Sequence, residues 1–533
     1  MPLFSKTNPR RSQLRRSLSS ERLSKLSWLL DADIIISVML WLSFVVVSIV
    51  ILSLGHIRQA HYSDLMSLAT LVLLISIAIA FYACHYQRKI LRNHARALAL
   101  LGLFVLLLIA TRLGVSSTND VSLAGSWGTG TAVIVAIVLT IAYDQRFALG
   151  MSVFYCLLAC LAIGPALNDQ HQLPGISSLL TMAAGVATCC FFLKEVRTRM
   201  KLLEVSTLAA VVVFITAGAA ASLSFTGRPP PLPDTVKWAA CHATAALLVG
   251  LLVQSLLPVI EKVFRIATSM TLLDYSDANQ PLLRRLAMDA PGTFSHSLLI
   301  GSIAEAAAEA IGCNGLLCRV GAYYHDIGKT NKPKYFVENE MGSASRHKEL
   351  SPAMSQLIIV GHVKDGIELA REYGLPTILR QFIETHHGTT LVEPFYNEAK
   401  KKYEAPLLGP STQRPIEPPP SESEFRYPGP KPRTKESAIV MLSDAVEGAV
   451  RSLSEVNPGK IEAVVHNMAM KRLQDGQFDE CDLSLRELSQ IEASMSKTLA
   501  AHYHGRIAYP TAPDVPEDQQ AEQKSAELKT ADR

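Results

Sequence analysis

Eight apolar segments, each about as long as a membrane-spanning helix, constrain the fold of this chain more than any other feature of its sequence. A bilayer core requires roughly 20 helical residues per crossing. The segments all fall in the first half of the chain, at residues 32–54, 64–84, 97–114, 127–143, 147–164, 176–193, 204–223 and 237–259. They account for the mean hydropathy of +0.22, because the residues after Glu261 have an ordinary globular composition. The sequence therefore predicts an all-α protein, in which a polytopic transmembrane helical bundle precedes a helical globular domain.

Basic residues are distributed unevenly between the connecting loops, and this predicts how the bundle is oriented. The loops at 85–96 and 194–201 carry four Lys or Arg residues each, whereas those at 115–125 and 165–174 carry none. The first thirty residues also carry seven Lys or Arg residues against a single acidic residue. Basic loops stay on the cytoplasmic side of a membrane. We therefore expect both termini, and the globular domain, in the cytoplasm, an arrangement that an even number of spans allows.

Ionisable residues are scarce within the spans, and Arg112 and His242 are the main examples. A transport pathway usually needs more polar groups than this, and the spans show no internal repeat of the kind that builds transporters. We interpret the bundle as an anchor, alone or with a sensory function, and keep transport as the less favoured alternative.

Composition divides the chain into successive regions, of which the globular one is interrupted by a proline-rich stretch. The predicted regions are a basic N-terminal tail (1–30), a transmembrane domain (31–260), a connector (261–290), a helical domain (291–510) with an exposed proline-rich loop (404–434), and a disordered tail (511–533). Nine cysteines show no disulfide or zinc-binding spacing, so we expect them to be reduced.

Histidine and aspartate residues lie on the apolar faces of five predicted helices in the globular domain. These helices are predicted at 290–312, 316–328, 351–374, 376–388 and 436–453, with Gly312, Gly328 and Gly388 ending the first, second and fourth, and Ser351 as the N-cap of the third. The potential ligands that they direct inward are His296, His325, Asp326, His362, His386, His387 and Asp444.

Each of these residues has an ordinary structural explanation when it is taken alone. A core histidine is usually satisfied by a backbone carbonyl, and Arg451 lies on the same helix face as Asp444 and is a candidate to neutralise it. Seven inward ligands together are harder to explain in this way, because a catalytic metal leaves a coordination position open and a single ion cannot use them all. The set predicts two metals that share one ligand, and Asp326 is the candidate bridge because a carboxylate has two oxygens.

The order H…HD…H…HH…D resembles that of the HD-domain metal-dependent phosphohydrolases. More closely, residues 261–510 resemble the membrane-bound seven-transmembrane HD (7TM–HD) proteins that act as cyclic di-AMP phosphodiesterases. The stretches that carry the resemblance are NQPLLRRLAMDAPGTFSHSLL, AYYHDIGK, KPKYFVENE, LSPAMSQLIIVGHVKDG, IETHHGTTLV, FRYPGPKP, ESAIVMLSDAVE and HYHGRIAYP. The resemblance implies an all-helical cytoplasmic HD domain, attached to a multi-pass protein of the bacterial inner membrane.

The same resemblance implies roles for individual residues. His296, His325, Asp326 and Asp444 would hold a first metal, and Asp326, His362, His386 and His387 a second. Water activated between the metals would attack phosphorus in line with the leaving 3′ oxygen, which converts cyclic di-AMP to the linear dinucleotide pApA. Asp326 and Lys329 are the expected catalytic residues, and the expected substrate contacts are Lys329, Tyr335, Phe336, Glu338 and Asn339.

The ligand set favours iron or manganese over calcium or magnesium, because it contains five histidines, and the family also uses iron or manganese. The expected partners are a cyclic dinucleotide and the lipid bilayer, with no nucleic-acid polymer, and the sequence leaves a homodimer open. The chain departs from the family in two ways. Only residues 55–63 separate the first two spans, where members of the family often have a large extracytoplasmic domain, and Ser295 stands where the family tends to have histidine.

Two alternatives to the cyclic di-AMP reaction share this fold. The same site would act on cyclic di-GMP or a mononucleotide, although HHGTTL lacks the acidic residue that the HD-GYP proteins place after the histidine pair, and no GYP signature follows. The other alternative is a catalytically idle HD domain that serves as a membrane sensor. Loss of a ligand would favour it, and all seven candidate ligands are present.

Overall fold

Helices provide the regular secondary structure of this protein, apart from one isolated bridge between Leu391 and Arg426 in the part of the chain that the structure describes. A computed structural model describes residues 32–54, 62–87, 93–164, 174–193, 198–222, 231–340, 346–404 and 418–504. The predicted tails and the centre of the proline-rich loop lie outside these ranges. The chain divides into two compact units, Met1–Leu273 and Asp274–Arg533. The all-α fold class predicted from the sequence is confirmed.

The described residues of the first unit form eight long helices. They are α1 (Ala32–Ser53), α2 (Tyr62–Tyr86), α3 (His94–Ser116), α4 (Val121–Ala142), α5 (Gln145–Ile163), α6 (Pro174–Phe192), α7 (Arg199–Ser222) and α8 (Leu232–Phe264). Each is long and apolar enough to cross a membrane, so the eight predicted spans are confirmed and the chain is a multi-pass membrane protein. The last helix extends further than the predicted span, since α8 runs to Phe264. It stops there because the next residue, Arg265, has a positive φ of 54°.

Helix α4 lies at the centre of this bundle, and its small residues explain why. Within its most apolar window 83% of residues are buried inside the protein, against 17% for α2. A Cβ atom on Gly128 would lie 2.3 Å from the side chain of Ile163, and one on Gly125 would lie 3.0 Å from His242. Without a hydrophobic driving force between helices in lipid, close backbone approach at small residues is a main source of packing energy. The glycines therefore let neighbouring helices pack closely against α4.

Both ionisable residues singled out within the spans have internal partners. The Arg112 guanidinium on α3 donates through Nε to the Leu54 carbonyl at 2.9 Å, and through Nη1 to the Ala162 carbonyl on α5 at 3.0 Å. Nδ1 of His242 lies 2.6 Å from the Thr129 hydroxyl. Polar groups satisfied in this way join helices to one another, which agrees with the interpretation of the bundle as an anchor rather than a transport pathway.

The second unit is built from shorter helices. They are α10 (Pro281–Asp289), α11 (Pro291–Ala310), α12 (Gly315–Tyr324), α13 (Pro352–Glu372), α14 (Thr377–Thr385), α15 (Glu393–Glu404), α16 (Lys435–Arg451), α17 (Pro458–Gln474) and α18 (Leu485–His504), with α9 (Ser269–Ser276) at the boundary between the units. Within the described ranges, five short 3-10 helices accompany them, at Ile327–Asn331, Pro333–Tyr335, Val337–Asn339, Arg346–Glu349 and Glu422–Phe425. Helices α11, α12, α13, α14 and α16 carry the predicted ligands or precede them directly.

Local signals fix the ends of these helices. Ser351 caps α13 by accepting the Met354 N–H, and Gly312 and Gly388 have the positive φ values, 73° and 51°, that end a helix easily only at glycine. The start of α11 is capped from elsewhere, because the Asn339 side-chain oxygen accepts the N–H groups of Gly292 and Thr293. The turn that contains Asn339 is thereby fixed to the helix that carries His296.

Candidate metal centre

The chain segment HDIGK, residues 325–329, departs from its predicted conformation. Helix α12 ends at Tyr324 rather than at Gly328, and Gly328 lies inside the following 3-10 helix with an ordinary negative φ. The glycine is needed for space, because a Cβ there would lie 1.9 Å from the His362 carbonyl oxygen and 2.5 Å from the Gly366 nitrogen. The early end of the helix turns the chain so that His325 and Asp326 both face the interior, where their side chains are 0% and 1% exposed.

All seven predicted ligands come together at one place in the second unit. They form two groups, His296, His325, Asp326 and Asp444 in one and Asp326, His362, His386 and His387 in the other. Within each group the potential ligand atoms all lie within 4.8 Å of one another, and Asp326 belongs to both. These groups coincide with the two sets that the family resemblance implies.

The two carboxylate oxygens of Asp326 face different groups. Oδ1 lies 3.2 Å from Nε2 of His362 and 3.5 Å from Nε2 of His386. Oδ2 lies 3.2 Å from Nε2 of His325 and 3.8 Å from Nε2 of His296. Ligands bound about 2.0–2.2 Å from one ion lie roughly 3–4 Å from each other. The separations on each side of Asp326 therefore suit an ion on each side.

The remaining ligands close the two groups. Asp444 Oδ1 lies 3.2 Å from Nε2 of His296 and 3.8 Å from Nε2 of His325, and Oδ2 lies 3.7 Å from Nδ1 of His387. Nε2 of His362 lies 3.1 Å from Nε2 of His386. Asp444 is therefore satisfied by histidines. Arg451, the cation considered for it from the sequence, instead places Nη1 3.6 Å from Oε2 of Glu447.

The residues present fit a divalent cation, judged by their own unsatisfied atoms and charges. Nε2 of His325 and Oδ1 of Asp326 are buried and have no hydrogen-bond partner of regular geometry. Burial lowers the pKa of His325, but the Asp326 and Asp444 carboxylates outweigh it and raise that pKa to about 10. A buried site that draws a proton this strongly favours positive charge, and a metal ion is the other way to supply it.

Burial lowers the pKa of His296, but Asp444 and Glu447 outweigh it and raise that pKa, as happens at His325. Three other groups of the centre are shifted toward the protonation states of metal ligands. Burial raises the pKa of Asp326, but His325 and Lys329 outweigh it and hold that pKa well below its usual range. Asp444 behaves in the same way through His296 and His325. Burial lowers the pKa of His387 well below its usual value. Ionised carboxylates and a neutral imidazole are the protonation states that a metal requires of its ligands.

Lys329 is part of an internal charge network. Its Nζ lies 2.6 Å from Oδ2 of Asp326 and 2.8 Å from Oε1 of Glu338, and 5.0 Å from the centre of the Phe336 ring. Burial lowers the pKa of Lys329, but Asp326 and Glu338 outweigh this and raise it, so the lysine stays charged. Thr293 completes the network by donating to the same Glu338 oxygen at 3.0 Å.

Most residues expected to contact the substrate already have partners within the protein. Glu338 holds Lys329, and Asn339 caps α11 and donates to the Thr293 hydroxyl at 2.8 Å. The Phe336 ring lies edge-on to His362 with centroids 5.8 Å apart, whereas Tyr335 lies beside His347 at 5.6 Å. Their contacts with a nucleotide remain predictions, and the structure shows that Glu338 and Asn339 also shape the centre itself.

Three residues near the centre are absent from the sequence-based set. Glu447, one turn after Asp444 on α16, places Oε2 2.7 Å from Nδ1 of His296. The Tyr427 ring lies 4.2 Å from the ring of His387, with the two planes 32° apart. The charge of Asp444 and the ring of Tyr427 are close enough to Arg472 on α17 to act on its pKa, which burial lowers. The sequence signal that could have identified Glu447 is the presence of an acidic residue on the otherwise apolar, buried face of α16.

Comparisons with known proteins agree with this architecture. Residues 62–268 match the family model described as a 7TM receptor with intracellular HD hydrolase, and residues 293–449 match the HD-domain model. The first match begins at α2 and ends beyond α8, so it contains seven of the eight membrane helices and leaves α1 outside. The two matches together cover more than half of the chain.

Similar proteins include two named cyclic-di-AMP phosphodiesterase PgpH. The chain is 37% identical to that of Bacillus subtilis over 381 residues, which are 71% of this chain and 50% of the relative. It is 42% identical to that of Listeria monocytogenes over 258 residues, which are 48% of this chain and 34% of the relative. The chain thus spans about half the length of these relatives or less.

A solved structure is also similar, the crystal structure of the L. monocytogenes PgpH HD domain in complex with cyclic-di-AMP. It is 42% identical, it is covered completely, it corresponds to 43% of this chain, and its TM-score is 0.38. A membrane region that matches the seven-helix model and a following domain that matches the HD model occur here in one chain and in the order that the first model describes. The chain belongs to the 7TM–HD family, whose members combine a seven-transmembrane region with an intracellular HD hydrolase domain.

Proposed function

We propose that this protein is a membrane-anchored phosphodiesterase that hydrolyses cyclic di-AMP to pApA at a two-metal centre. The observation that carries the proposal is the position of Asp326, whose two oxygens face separate groups of histidine and aspartate ligands. The names of the relatives support the substrate, because both PgpH proteins are called cyclic-di-AMP phosphodiesterases.

The proposed ligands of the first metal are His296, His325, Asp326 and Asp444, and those of the second are Asp326, His362, His386 and His387. Two bound divalent metals would supply a water of lowered pKa and would neutralise charge on the reacting phosphoryl group. Asp326 would be a ligand of both ions, and its carboxylate is buried away from bulk water. We propose that both ions are iron or that both are manganese, because imidazole and carboxylate ligands suit either metal.

Charge complementarity supports a dianionic substrate. Two divalent ions bring four positive charges, of which Asp326 and Asp444 cancel two, and the charges of Lys329 and Glu338 cancel each other. The centre would therefore be net positive toward a cyclic dinucleotide, which carries two phosphates. Lys329 would keep Asp326 ionised and would also be the nearest lysine to a phosphate bound beside that carboxylate.

The distribution of charge between the loops supports a proposed location for the protein. We propose that the second unit lies in the cytoplasm with both termini, and that the bundle lies in the bacterial inner membrane. The boundary between the two compact units, after Leu273, falls inside the proposed connector 261–290 and supports the proposed order of regions. The substrate would thus be met on the cytoplasmic side of the bilayer.

The test is a direct assay of the full-length protein in detergent. The protein would be purified anaerobically, supplied with Fe²⁺ or Mn²⁺, and given cyclic di-AMP and cyclic di-GMP separately, with products separated by chromatography. Conversion of cyclic di-AMP to pApA, with much slower loss of cyclic di-GMP, is the expected result. Failure to cut either compound while two metals are bound would reject the substrate, and absence of bound metal would reject the mechanism.

A further inference from the structure

A metal-binding histidine usually donates a hydrogen bond from its second ring nitrogen to another protein group. Three histidines of the centre do so in the same way. Nδ1 of His325 lies 2.6 Å from the Ala322 carbonyl oxygen, and Nδ1 of His362 lies 2.5 Å from that of Ile359. Nδ1 of His386 lies 2.9 Å from the carbonyl oxygen of Ile383. In each case the acceptor is the backbone three residues earlier, so Nδ1 carries the proton and Nε2 is left to face the centre.

His296 has a different arrangement. Its Nε2 faces Asp444 and Asp326, as the other histidines would suggest, but its Nδ1 lies 2.7 Å from Oε2 of Glu447. Neither of these two atoms has a hydrogen bond of regular geometry to another atom of the described residues. At 2.7 Å, each of the two atoms is therefore the close polar partner of the other.

The Glu447 carboxylate is buried, and the groups around it that can offset its charge are His296 and Arg451. Its side chain is 4% exposed, and a buried carboxylate without a partner costs several kcal/mol or more. Arg451, which is 40% exposed, approaches the same oxygen at 3.6 Å from the outer side of α16. The carboxylate therefore lies between a surface arginine and a histidine of the centre.

We infer that Glu447 is a positioning residue for the first metal group. Its carboxylate accepts a hydrogen bond from Nδ1–H of His296, which holds the tautomer with Nε2 free and fixes the ring against α16. A carboxylate also makes the imidazole a stronger electron donor than a backbone carbonyl does. The inference rests on the proposed function, because it assigns the role of Glu447 toward the metal that His296 would bind.

The role predicts a loss confined to one of two ions. Partners of this kind typically change metal affinity by about 10–100-fold. In Glu447→Gln the side chain keeps its size and its amide oxygen still accepts a hydrogen bond, so we expect a fall at the lower end of that range. In Glu447→Ala the acceptor is removed, and we expect the larger effect. Among the described residues, the ion pairs of Glu447 are with His296 and Arg451. The metal affinity of the second group should therefore stay at the wild-type value.

The experiment measures metal binding rather than turnover. Full-length protein in detergent would be stripped with a chelator and titrated with Mn²⁺ by equilibrium dialysis, with free and bound metal counted. His296→Ala and His362→Ala mark which binding class belongs to which group. Glu436→Gln is the matched control, since it makes the same chemical change on the same helix. Melting temperature identifies any variant that has failed to fold.

The expected pattern is that Glu447→Gln weakens the class that His296→Ala removes, and that adding Glu447→Gln to His296→Ala has no further effect. Unchanged affinities in folded Glu447→Gln and Glu447→Ala would overturn the inference while leaving the two-metal centre intact. Equal weakening of both classes would also overturn it, because that result indicates a general structural role. A wild type that binds no Mn²⁺ would instead reject the proposed function, and the inference with it.

Discussion

A Cβ atom at position 328 would lie 1.9 Å from the carbonyl oxygen of His362, so the HDIGK segment packs backbone to backbone against α13. We predict that Gly328→Ala forces the two segments apart, destabilises the domain by about 1–3 kcal/mol, and weakens the second metal group. The matched control is Gly361→Ala, one residue before His362, where an added Cβ meets nothing within 4 Å. Melting temperature and bound metal per chain check both variants, and equal behaviour of the two would contradict the packing argument.

Removal of the shared carboxylate should affect both groups at once. We predict that Asp326→Ala lowers cyclic di-AMP turnover by more than the ~100-fold typical of an outer partner, because both ions lose a ligand. His296→Ala and His362→Ala should each reduce the occupancy of one group. Metal analysis of the three variants beside the assay separates these cases. Wild-type turnover by Asp326→Ala at unchanged metal content would rule out the proposed mechanism.

The Glu338 carboxylate gives a prediction about pH. Burial raises its pKa, but Lys329 outweighs this and lowers it, so folding is favoured by the ionised form. That stabilisation is present above the unfolded pKa of 4.5 and is lost as the pH falls through the lower folded value. We predict that Glu338→Gln destabilises the metal-free protein by about 1.5–3 kcal/mol at pH 7. The difference from wild type should shrink as the pH falls below 4.5.

Thermal melting at several pH values measures this difference. Glu368→Gln on the surface of α13 is the control, because its side chain is 64% exposed and its distance to Lys364 is 4.0 Å. A pH-independent gap between wild type and Glu338→Gln would show that the carboxylate charge is not what stabilises the domain.

The aromatic ring at position 427 should matter more than its hydroxyl. Tyr427 packs against His387 and into the small cluster with Val363 and Val392. We predict near wild-type activity for Tyr427→Phe, and for Tyr427→Ala a loss of about 3–5 kcal/mol in stability with weaker binding at the second metal group. Kinetics and metal titration of the two variants decide this. An inactive Tyr427→Phe that still binds two metals would assign the hydroxyl a chemical role instead.

Arg472 is a test of electrostatic attraction in the same region. No ion pair of its guanidinium is found among the described residues, and the Asp444 and Asp475 charges act on it. We predict that Arg472→Met raises KM for cyclic di-AMP more than it lowers kcat, because the arginine that is removed carries a positive charge that would attract the dianionic substrate. Lys471→Met is the neighbouring control, since Lys471 pairs with Glu393. A fall in kcat alone would indicate a different role.

The sequence predicts the parts of this structure that depend on local pattern. Hydropathy over about twenty residues finds all eight spans, and helical periodicity places the candidate ligands on their inward faces. Ser351, Gly312 and Gly388 mark helix ends because capping and positive φ act within a few residues. The conjunction of His325 and Asp326 could be interpreted only because four distant segments carry matching ligand types.

Contacts between distant segments account for what the sequence does not reveal. The His296 and Glu447 pair joins α11 to α16 across 151 residues, and neither residue has a local pattern that names the other. Helix α12 ends before His325 because the chain must meet the backbone of α13, which is a tertiary demand rather than a local one. The sequence also did not reveal that Asn339, an expected substrate contact, has a side-chain oxygen that caps α11.

The Arg112 guanidinium has a mechanical consequence for the membrane half. One side chain on α3 bonds the carbonyl just beyond the end of α1 and a carbonyl near the end of α5, so it holds three helices at a single point. The family match begins only at α2, yet this side chain joins α1 to two of the seven matched helices. A displacement at that end of α1 would reach two other helices through one side chain.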